Sequence, residues 1–441
     1  MGLMERMNKQ NPVVDKAAAH TPAGDEHAAL RQQVHHEVVD LLNKQRGDAE
    51  VDIREMIDGL LELYGSDTAR PERNRVAREI YNEVKGLGPL EQLLADESIS
   101  EIMINGPKKV YIERKGRLER SEVAFHDDQH VMSIIDRIVS PLGRHIDEAN
   151  PMVDARLPDG SRVNAIIPPL ALNGPTVTIR KFASTPLTVA DLISFGSLNT
   201  KMSQFLEACV KGKMNIIVSG GTGSGKTTLL NVLSAYIPSD ERIITIEDAA
   251  ELQLRQEHVL TLESRAANLE GQGAVTIRDL VRNALRMRPD RIVVGEVRGG
   301  ETLDMLQAMN TGHDGSLTTA HANSPRDALS RLETMALMAG MQLPLPAIRQ
   351  QISSAIDIVV QQSRMRDGSR KVSSVTEVLG MEGDIIVMQE IFKYEGQQKD
   401  IDGSKSGRFV ATGIKPYCCD KMSMNGVSVN ETWFSNAPER W

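Results

Sequence analysis

Aromatic side chains are scarce in this chain of 441 residues, and positive charges are outnumbered by negative ones. Phe, Trp and Tyr together make up 3% of the sequence, and the formal net charge is −9 at pH 7. Single-stranded nucleic acids are held by stacked aromatic rings, and any nucleic acid needs a basic surface for its phosphates. The composition therefore argues against a nucleic-acid-binding protein, although a local basic patch is compatible with it.

Long apolar runs and cysteines are scarce as well. No segment approaches the ~18 apolar residues of a membrane-spanning helix, and residues 1–22 contain no apolar run that resembles a signal peptide. The three cysteines are Cys209 and the adjacent Cys418 and Cys419, a spacing that suits neither a zinc site nor a disulfide framework. We therefore expect a cytoplasmic protein without structural zinc or disulfides.

The pattern of the sequence changes along the chain and predicts four segments. Residues 1–27 lack periodicity and predict a flexible tail, whereas apolar residues at helical spacing predict a bundle of three helices over residues 28–95. Strand-like runs separated by turn residues, with one helix among them, predict an α+β domain over residues 96–185. Residues 186–441 form the last and largest segment.

The last segment alternates continuous apolar strands with helices, which is typical of a doubly wound parallel sheet. Its strand-like runs cover residues 215–218, 243–246, 292–294 and 316–319. Three later apolar runs, at residues 358–360, 385–387 and 391–392, are predicted to be antiparallel edge strands. No structure is predicted for the residues after 416.

A phosphate-binding loop lies between the first of these strands and the following helix. The segment matches G-x-x-x-x-G-K-[ST] at every position, in the strand-to-helix context that makes the motif specific. Its glycines let backbone N–H groups converge on phosphate oxygens, Lys226 reaches the terminal phosphates of ATP, and the Thr227 hydroxyl is a ligand for Mg²⁺. The predicted nucleotide-binding residues are Gly220, Gly221, Thr222, Gly223, Ser224, Gly225, Lys226, Thr227 and Thr228.

Carboxylates follow the next two predicted strands, where a doubly wound sheet places its ligands. Glu247 and Asp248 come after residues 243–246, and Glu296 comes after residues 291–295. Carboxylates are needed to hold Mg²⁺ and to orient or deprotonate the attacking water. Gly295 stands where nucleotide-binding strands usually carry an Asp. We therefore expect Glu247 and Asp248 to take over part of the metal binding and of the catalytic activation of water, with Glu296 contributing.

The chain resembles the motor ATPases of bacterial secretion and pilus systems in three further segments. These are an acidic segment at residues 246–252, a strand-and-glutamate segment at 286–296 and a histidine-containing segment at 312–323. The finer resemblance is to the CpaF-type ATPases of Tad/Flp pilus systems. It rests on residues 100–106, 159–165, 178–182 and 407–409. The resemblance covers roughly residues 100–414, and the sequence has neither the CxxC pairs nor the Glu-Asp-Pro of some other branches.

This resemblance implies a RecA-like doubly wound ATPase core, an α+β N-terminal domain and a helical N-terminal extension. It also implies a homo-hexamer that holds ATP and Mg²⁺ between its two larger domains. His321 is then expected to be a polar sensor beside the phosphate, whereas the role of His313 is left open. Arginines of both domains are expected near the phosphates, namely Arg156, Arg162 and Arg180 from the α+β domain and Arg265 from the ATPase domain.

The resemblance implies ATP hydrolysis that powers assembly of a Tad/Flp-type pilus. Whether the motor also drives retraction of the pilus is left open. The partners would be inner-membrane platform proteins, with the motor peripheral to the inner face of the bacterial inner membrane. The main alternative is a traffic ATPase of a type IV secretion system. Two further alternatives are less favoured. The composition argues against a RecA-like nucleic-acid motor, and the presence of both Glu247 and Glu296 argues against a nucleotide-gated scaffold without turnover.

Overall fold

The computed structural model describes residues 27–44, 52–114, 116–182, 186–265, 267, 272–396 and 407–435. The flexible tail predicted for residues 1–27 lies outside these residues apart from His27. Contacts divide the chain into two units, Met1–Phe182 and Ala183–Trp441. Among the described residues, no helix is both long and apolar enough to cross a membrane.

The first unit begins with three helices, α1 (Ala28–Lys44), α2 (Ile53–Tyr64) and α3 (Arg70–Val84). The α2 helix begins at Asp52, whose carboxylate accepts hydrogen bonds from the backbone N–H groups of Arg54 and Glu55 and so caps the helix. Apolar residues three and four positions apart line one face of each helix. These faces form a separate small core that contains Val34, Val38, Ile53, Ile57, Leu61, Val76 and Ile80.

The rest of the first unit is a six-stranded antiparallel sheet with the order β3-β2-β1-β6-β5-β4. Alternate residues of the inner strands are buried against α5 (Asp128–Val139) and the short α4 (Leu90–Ala95), which gives this layer its own core. The strands are β1 (Ile99–Asn105), β2 (Val110–Arg114), β3 (Arg117–Arg120), β4 (Met152–Arg156), β5 (Arg162–Ile166) and β6 (Thr176–Arg180).

The second unit contains a nine-stranded sheet with the order β15-β14-β13-β12-β7-β11-β10-β8-β9. The six strands from β12 to β9 in this order are parallel, and β13 to β15 are antiparallel. The strands are β7 (Ile216–Gly220), β8 (Ile243–Glu247), β9 (Val259–Glu263), β10 (Arg291–Val294), β11 (Leu317–His321), β12 (Ile358–Arg364), β13 (Arg370–Glu382), β14 (Ile385–Glu395) and β15 (Arg408–Ala411).

Helices cover both faces of the parallel strands, which explains why these strands are apolar at consecutive positions. Ile216 and Val218 of β7 belong to the core on one face, and Ile217 belongs to the core on the other. The helices are α6 (Val189–Ser194), α7 (Thr200–Lys211), α8 (Lys226–Ser234), α9 (Ile277–Ala284), α10 (Glu301–Asn310), α11 (Pro325–Leu337), α12 (Leu345–Ala355) and α13 (Cys418–Met424).

Two expectations about the C-terminal part are wrong or incomplete. Residues 358–360 were predicted to form an antiparallel edge strand, but β12 lies inside the sheet, parallel to β7 on one side and antiparallel to β13 on the other. Residues 385–387 and 391–392 belong to one strand, β14, rather than to two. The residues after 416, for which nothing was predicted, supply α13 and a 3-10 turn whose Trp433 and Phe434 pack against Phe205.

A buried arginine holds the beginning of β10 in place. The guanidinium of Arg291, which is fully buried, pairs with the carboxylate of Glu241 and donates a 3.0 Å hydrogen bond from Nη1 to the carbonyl oxygen of Gly315. Gly315 has a φ of 82° and leaves no room for a β-carbon, since that atom would overlap the Arg291 guanidinium. The buried ion pair therefore depends on the absence of a side chain at position 315.

We predict that Gly315→Ala destabilises the protein far more than Gly312→Ala. Both glycines have positive φ, but a β-carbon at Gly312 meets nothing within 4 Å. The control substitution then costs only the backbone penalty, about 1–2 kcal/mol, whereas displacing Arg291 from its buried partner adds about 3–5 kcal/mol. Urea unfolding of the two variants measures the difference. Equal unfolding midpoints would show that Arg291 moves aside without cost.

Candidate active site

The loop between β7 and α8 has the backbone conformation of a phosphate cradle. Gly223 and Gly225 have φ values of 69° and 94°, a region that favours glycine, and Gly225 immediately precedes the first helical residue, Lys226. The loop is braced internally, because the Ser224 hydroxyl and the Lys226 ammonium donate to the Gly221 carbonyl oxygen at 2.9 Å and 3.2 Å. Its backbone N–H groups at the start of α8 suit an anion.

Lys226, Glu296 and His321 come together at the carboxyl ends of neighbouring strands. His321 ends β11 directly opposite Gly220 of β7, and Glu296 follows β10, the next strand in the sheet. Burial lowers the pKa of half-buried Lys226, while the Glu296 carboxylate favours its charged form. Burial and then the Lys226 charge lower the pKa of His321, so this imidazole is neutral at neutral pH.

Arg298 links the two acidic segments at this edge of the sheet. Its Nη2 lies 2.7 Å from Glu296 Oε2, and its Nη1 lies 3.8 Å from Asp248 Oδ2. The hydrogen bond with Glu296 raises the pKa of the already basic Arg298 guanidinium. Asp248, which is half-exposed, also accepts a 3.0 Å hydrogen bond from the Ser264 hydroxyl. Arg298 was not among the residues predicted from the sequence.

Glu247 is placed differently from the other predicted carboxylates. It is 3% exposed, and Oε1 accepts hydrogen bonds from the backbone N–H groups of Glu251 at 3.0 Å and Leu252 at 3.3 Å. A β-carbon on Gly295 would come within 2.7 Å of Glu247 Cγ. The Glu247 side chain therefore fills the space next to Gly295, which explains why position 295 has no side chain and no Asp.

Three of the four predicted arginines form a row on the sheet of the first unit. Arg156 of β4 pairs in register with Arg162 of β5, which in turn pairs with Arg180 of β6. Directly paired residues of antiparallel strands point to the same face, so the three side chains share one face of the sheet. Arg180 Nε also donates to Glu101 Oε1 at 2.9 Å.

The fourth predicted arginine, Arg265, and the second histidine, His313, both belong to the second unit. Arg265 forms an isolated bridge with Val275, and its Nε donates to the Gly273 carbonyl oxygen at 2.8 Å. His313 comes before β11, whereas His321 ends that strand, so the two histidines are at opposite ends of β11. His313 thus lies at the end of the strand away from Gly220.

The hairpin of β12 and β13 adds contacts to the phosphate-binding loop that sequence reasoning missed. Arg370 Nε donates to the carbonyl oxygen of Gly223 at 3.0 Å, and the Arg370 side chain packs against Gly225. The backbone of Gln362 in β12 packs against Gly220 so closely that a β-carbon there would overlap it. These residues lie more than one hundred positions after the loop, and no local pattern marks them.

Comparison with known proteins identifies the family to which this fold and loop belong. Residues 83–414 match the family model described as "Type II/IV secretion system protein". The chain belongs to this family. The match begins near the end of α3, so α1, α2 and most of α3 precede the shared part of the chain.

Two relatives and one solved structure illustrate the similarity. A putative conjugal transfer protein of Mycobacterium tuberculosis is 37% identical over 314 residues, which are 70% of this chain and 89% of the relative. The type IV secretion system protein VirB11 of Bartonella henselae is 34% identical over 330 residues, with 66% and 91% covered. The pilus retraction motor PilT with bound ADP has a TM-score of 0.50 at 19% identity, with 78% and 87% covered. The likeness to PilT confirms the predicted α/β ATPase fold.

We predict that the Lys226 charge adds to the effect of burial in lowering the pKa of His321. In Lys226→Met the pKa of His321 should rise, because a positive charge that opposes protonation is lost. In the folded wild type this pKa lies below the unfolded value of about 6.5, so His321 weakens the folded state as the pH falls below about 6.5. NMR titration of the imidazole, assigned with His321→Gln, measures the pKa.

The matched control for this titration is Lys211→Met, at an exposed lysine of α7 whose ammonium pairs with Glu207. That substitution should leave the titration of His321 unchanged. A His321 pKa at or above 6.5 in the wild type, or one that does not respond to Lys226→Met, would contradict the placement of a partly buried His321 beside Lys226.

Proposed function

We propose that this chain is a Mg²⁺-dependent ATPase that works as a homo-hexameric motor for assembly of a Tad/Flp-type pilus. The observation that carries the proposal is the meeting of Lys226, Glu296 and His321 beside the phosphate-binding loop, at the carboxyl ends of adjacent parallel strands. A lysine that binds phosphates and a carboxylate that orients water are groups that phosphoryl transfer to water uses, and a neutral imidazole beside them can add a hydrogen bond.

The residues present fit ATP and Mg²⁺. Residues 220–228 supply the phosphate cradle, in which two glycines have positive φ and Lys226 already points back over the loop. Thr227, Glu247 and Asp248 are the proposed Mg²⁺ ligands, with Asp248 the more exposed of the two carboxylates. Bound Mg²⁺ would neutralise phosphate charge. The hydrogen bonds of Glu247 to residues 251 and 252 hold the segment that carries Asp248.

Glu296 is the proposed group that orients or deprotonates the attacking water. Its carboxylate interacts with Lys226, which places it toward the phosphate-binding loop. The ion pair with Arg298 fixes the orientation of the carboxylate, because Nη2 lies 2.7 Å from Oε2. His321 is proposed to hydrogen-bond as a neutral imidazole beside the phosphates, since Lys226 and Arg331 both oppose its protonation.

Arg156, Arg162 and Arg180 are proposed to stabilise the charge that develops on the transferred phosphoryl group, together with Arg265. Their support is the shared face of the arginine row on β4, β5 and β6. Arginines on a separate domain reach a phosphate-binding loop only when domains or neighbouring subunits close over it, which is the basis for proposing a ring. An arginine supplied in this way accelerates hydrolysis by about 10³- to 10⁵-fold.

The assignment to a Tad/Flp-type machine rests on resemblance in residues 100–106, 159–165, 178–182 and 407–409, and on the helices α1 to α3 before the shared part of the chain. The motor would be cytoplasmic, peripheral to the inner face of the bacterial inner membrane, and would act on platform proteins there. A type IV secretion traffic ATPase is the second candidate, which the conjugal transfer and VirB11 relatives favour.

We predict that Lys226→Ala and Arg162→Ala are each inactive alone but regain ATPase activity when mixed. Loss of Lys226 removes the cation that faces the terminal phosphates, whereas loss of Arg162 removes the charge supplied by the other domain. If the arginine acts across a subunit interface, a mixed ring contains sites with both groups intact. Phosphate release measured after mixing and reassembly detects these sites.

The control for Arg162 is Arg117→Ala, at an arginine of the exposed edge strand β3 outside the row. This variant should keep wild-type turnover. Activity of the wild type should also rise with protein concentration as rings assemble. Full activity of Lys226→Ala alone, or a fully active monomer with no dependence on concentration, would refute the ring ATPase. Two inactive variants whose mixture stays inactive would place the arginine and the loop in the same chain.

We predict that Glu296→Gln, which keeps the shape of the side chain but not its charge, still binds ATP and no longer turns it over. Such a trapped motor should remain on its membrane partner during purification from native membranes. Mass spectrometry of the co-purified proteins should find inner-membrane platform proteins of a pilus. Recovery of type IV secretion channel components instead would favour the second candidate. ATP hydrolysis by Glu296→Gln at the wild-type rate would show that Glu296 has no catalytic role.

A further inference from the structure

We infer that the first unit contains a binding site for a divalent transition metal of the Zn²⁺ class, formed by Glu83, His126 and His130. Among the residues that the structure describes, they form the group of three His, Cys, Asp or Glu residues whose ligand atoms all lie within 4.8 Å of one another. Glu83 is at the end of α3, His126 precedes α5, and His130 is in the first turns of α5.

The distances in this cluster match those between two ligands of one tetrahedral cation. Nε2 of His126 and Nε2 of His130 each lie 3.3 Å from the same oxygen, Glu83 Oε1. A tetrahedral Zn²⁺ with bonds of about 2.0–2.1 Å places its ligands about 3.3–3.4 Å apart.

The two imidazoles are held in positions that direct their Nε2 atoms toward Glu83. The rings of His126 and His130 stack with centroids 5.0 Å apart and planes at 20°. His130 is fixed by its place in α5, where Asp127 caps the helix by accepting the His130 backbone N–H at 2.8 Å. The ring of His130 also packs edge-on against Phe125, with its side chain 11% exposed.

The imidazole of His130 has to change its tautomer when a metal binds. Nδ1 of His130 accepts the backbone N–H of His126 at 3.3 Å, which leaves the ring proton on Nε2. A metal on Nε2 requires the ring proton on Nδ1, so the backbone N–H of His126, which now donates to Nδ1, would have to turn away from it.

The cluster is surrounded by more negative than positive side chains, which favours binding of a cation. Glu83 and Asp127 are the carboxylates that act on His130, and Arg137 is the opposing cation. The Arg137 guanidinium is directed to backbone, since Nη1 donates to the carbonyl oxygens of Glu83 and Gly86 at 2.7 Å and 2.8 Å. His35 of α1 also faces the cluster, because Glu83 and His126 both act on its pKa, which burial lowers.

A metal at this position ties the helices to the sheet layer. Glu83 belongs to the last turn of α3, whereas His126 and His130 belong to the layer that contains α5. The connection between them includes Gly88, whose φ is 57° and whose missing side chain leaves space for His130 and Glu83. Three metal bonds across this connection would restrict movement of α3 relative to α5 and raise the stability of the unit.

The test uses the full-length protein, stripped with EDTA and free of nucleotide. Calorimetric titration with Zn²⁺ should show one equivalent bound to the wild type, with affinity falling as the pH is lowered, because protons compete with the metal for its ligands. Co²⁺ should bind with the intense visible absorption of a tetrahedral site. His126→Gln should weaken Zn²⁺ binding at least about 100-fold, and Glu83→Gln and His130→Gln should do the same.

The controls separate loss of ligand from loss of structure. The His126 side chain is 80% exposed, so His126→Gln should leave the melting temperature of the metal-free protein unchanged. His145→Gln replaces an exposed histidine outside the cluster and should bind Zn²⁺ as the wild type does. Zn²⁺ should raise the melting temperature of the wild type but not of His126→Gln. A wild type without a bound equivalent, or equal Zn²⁺ affinity in His126→Gln and His145→Gln, would overturn the proposal.

Discussion

The register of the parallel strands is the constraint on which the candidate site depends. Gly220 of β7 lies opposite His321 of β11, and Val294 of β10 lies opposite both Thr318 of β11 and Ile246 of β8. These strands are buried on both faces, so a shift of one residue would exchange the side chains between two closed cores. Burial therefore fixes the order of the strand ends, and with it the position of every group that follows a strand.

The contact between Glu247 and Gly295 shows how one site residue depends on its neighbour. The Glu247 side chain crosses the end of β10 and is held there by the backbone N–H groups of residues 251 and 252. An Asp at position 295 would need the same space. In this chain, therefore, a carboxylate from β8 fills the space beside Gly295, and the segment after β8 is shaped by the side chain that β8 supplies.

Local patterns predicted what is determined locally. The phosphate-binding loop and the acidic residues after β8 and β10 follow from short motifs, because strand, turn and helix are adjacent in sequence. The position of β12 could not be predicted from its apolar run, since an apolar strand looks the same beside β7 as at an edge. The contacts of Arg370 with the loop and of Glu83 with two histidines join segments that are 147 and about 45 positions apart. Such pairs arise only from tertiary packing.

The arginine row on β4, β5 and β6 concentrates positive charge on one face of its sheet. Like charges at directly paired positions destabilise antiparallel strands, and here two successive pairs, Arg156 with Arg162 and Arg162 with Arg180, are both Arg–Arg. Glu101 offsets part of this repulsion through its 2.9 Å contact with Arg180. This concentration of guanidinium groups is the basis for the phosphate-binding role proposed for the row, because one phosphate accepts hydrogen bonds from several guanidinium groups.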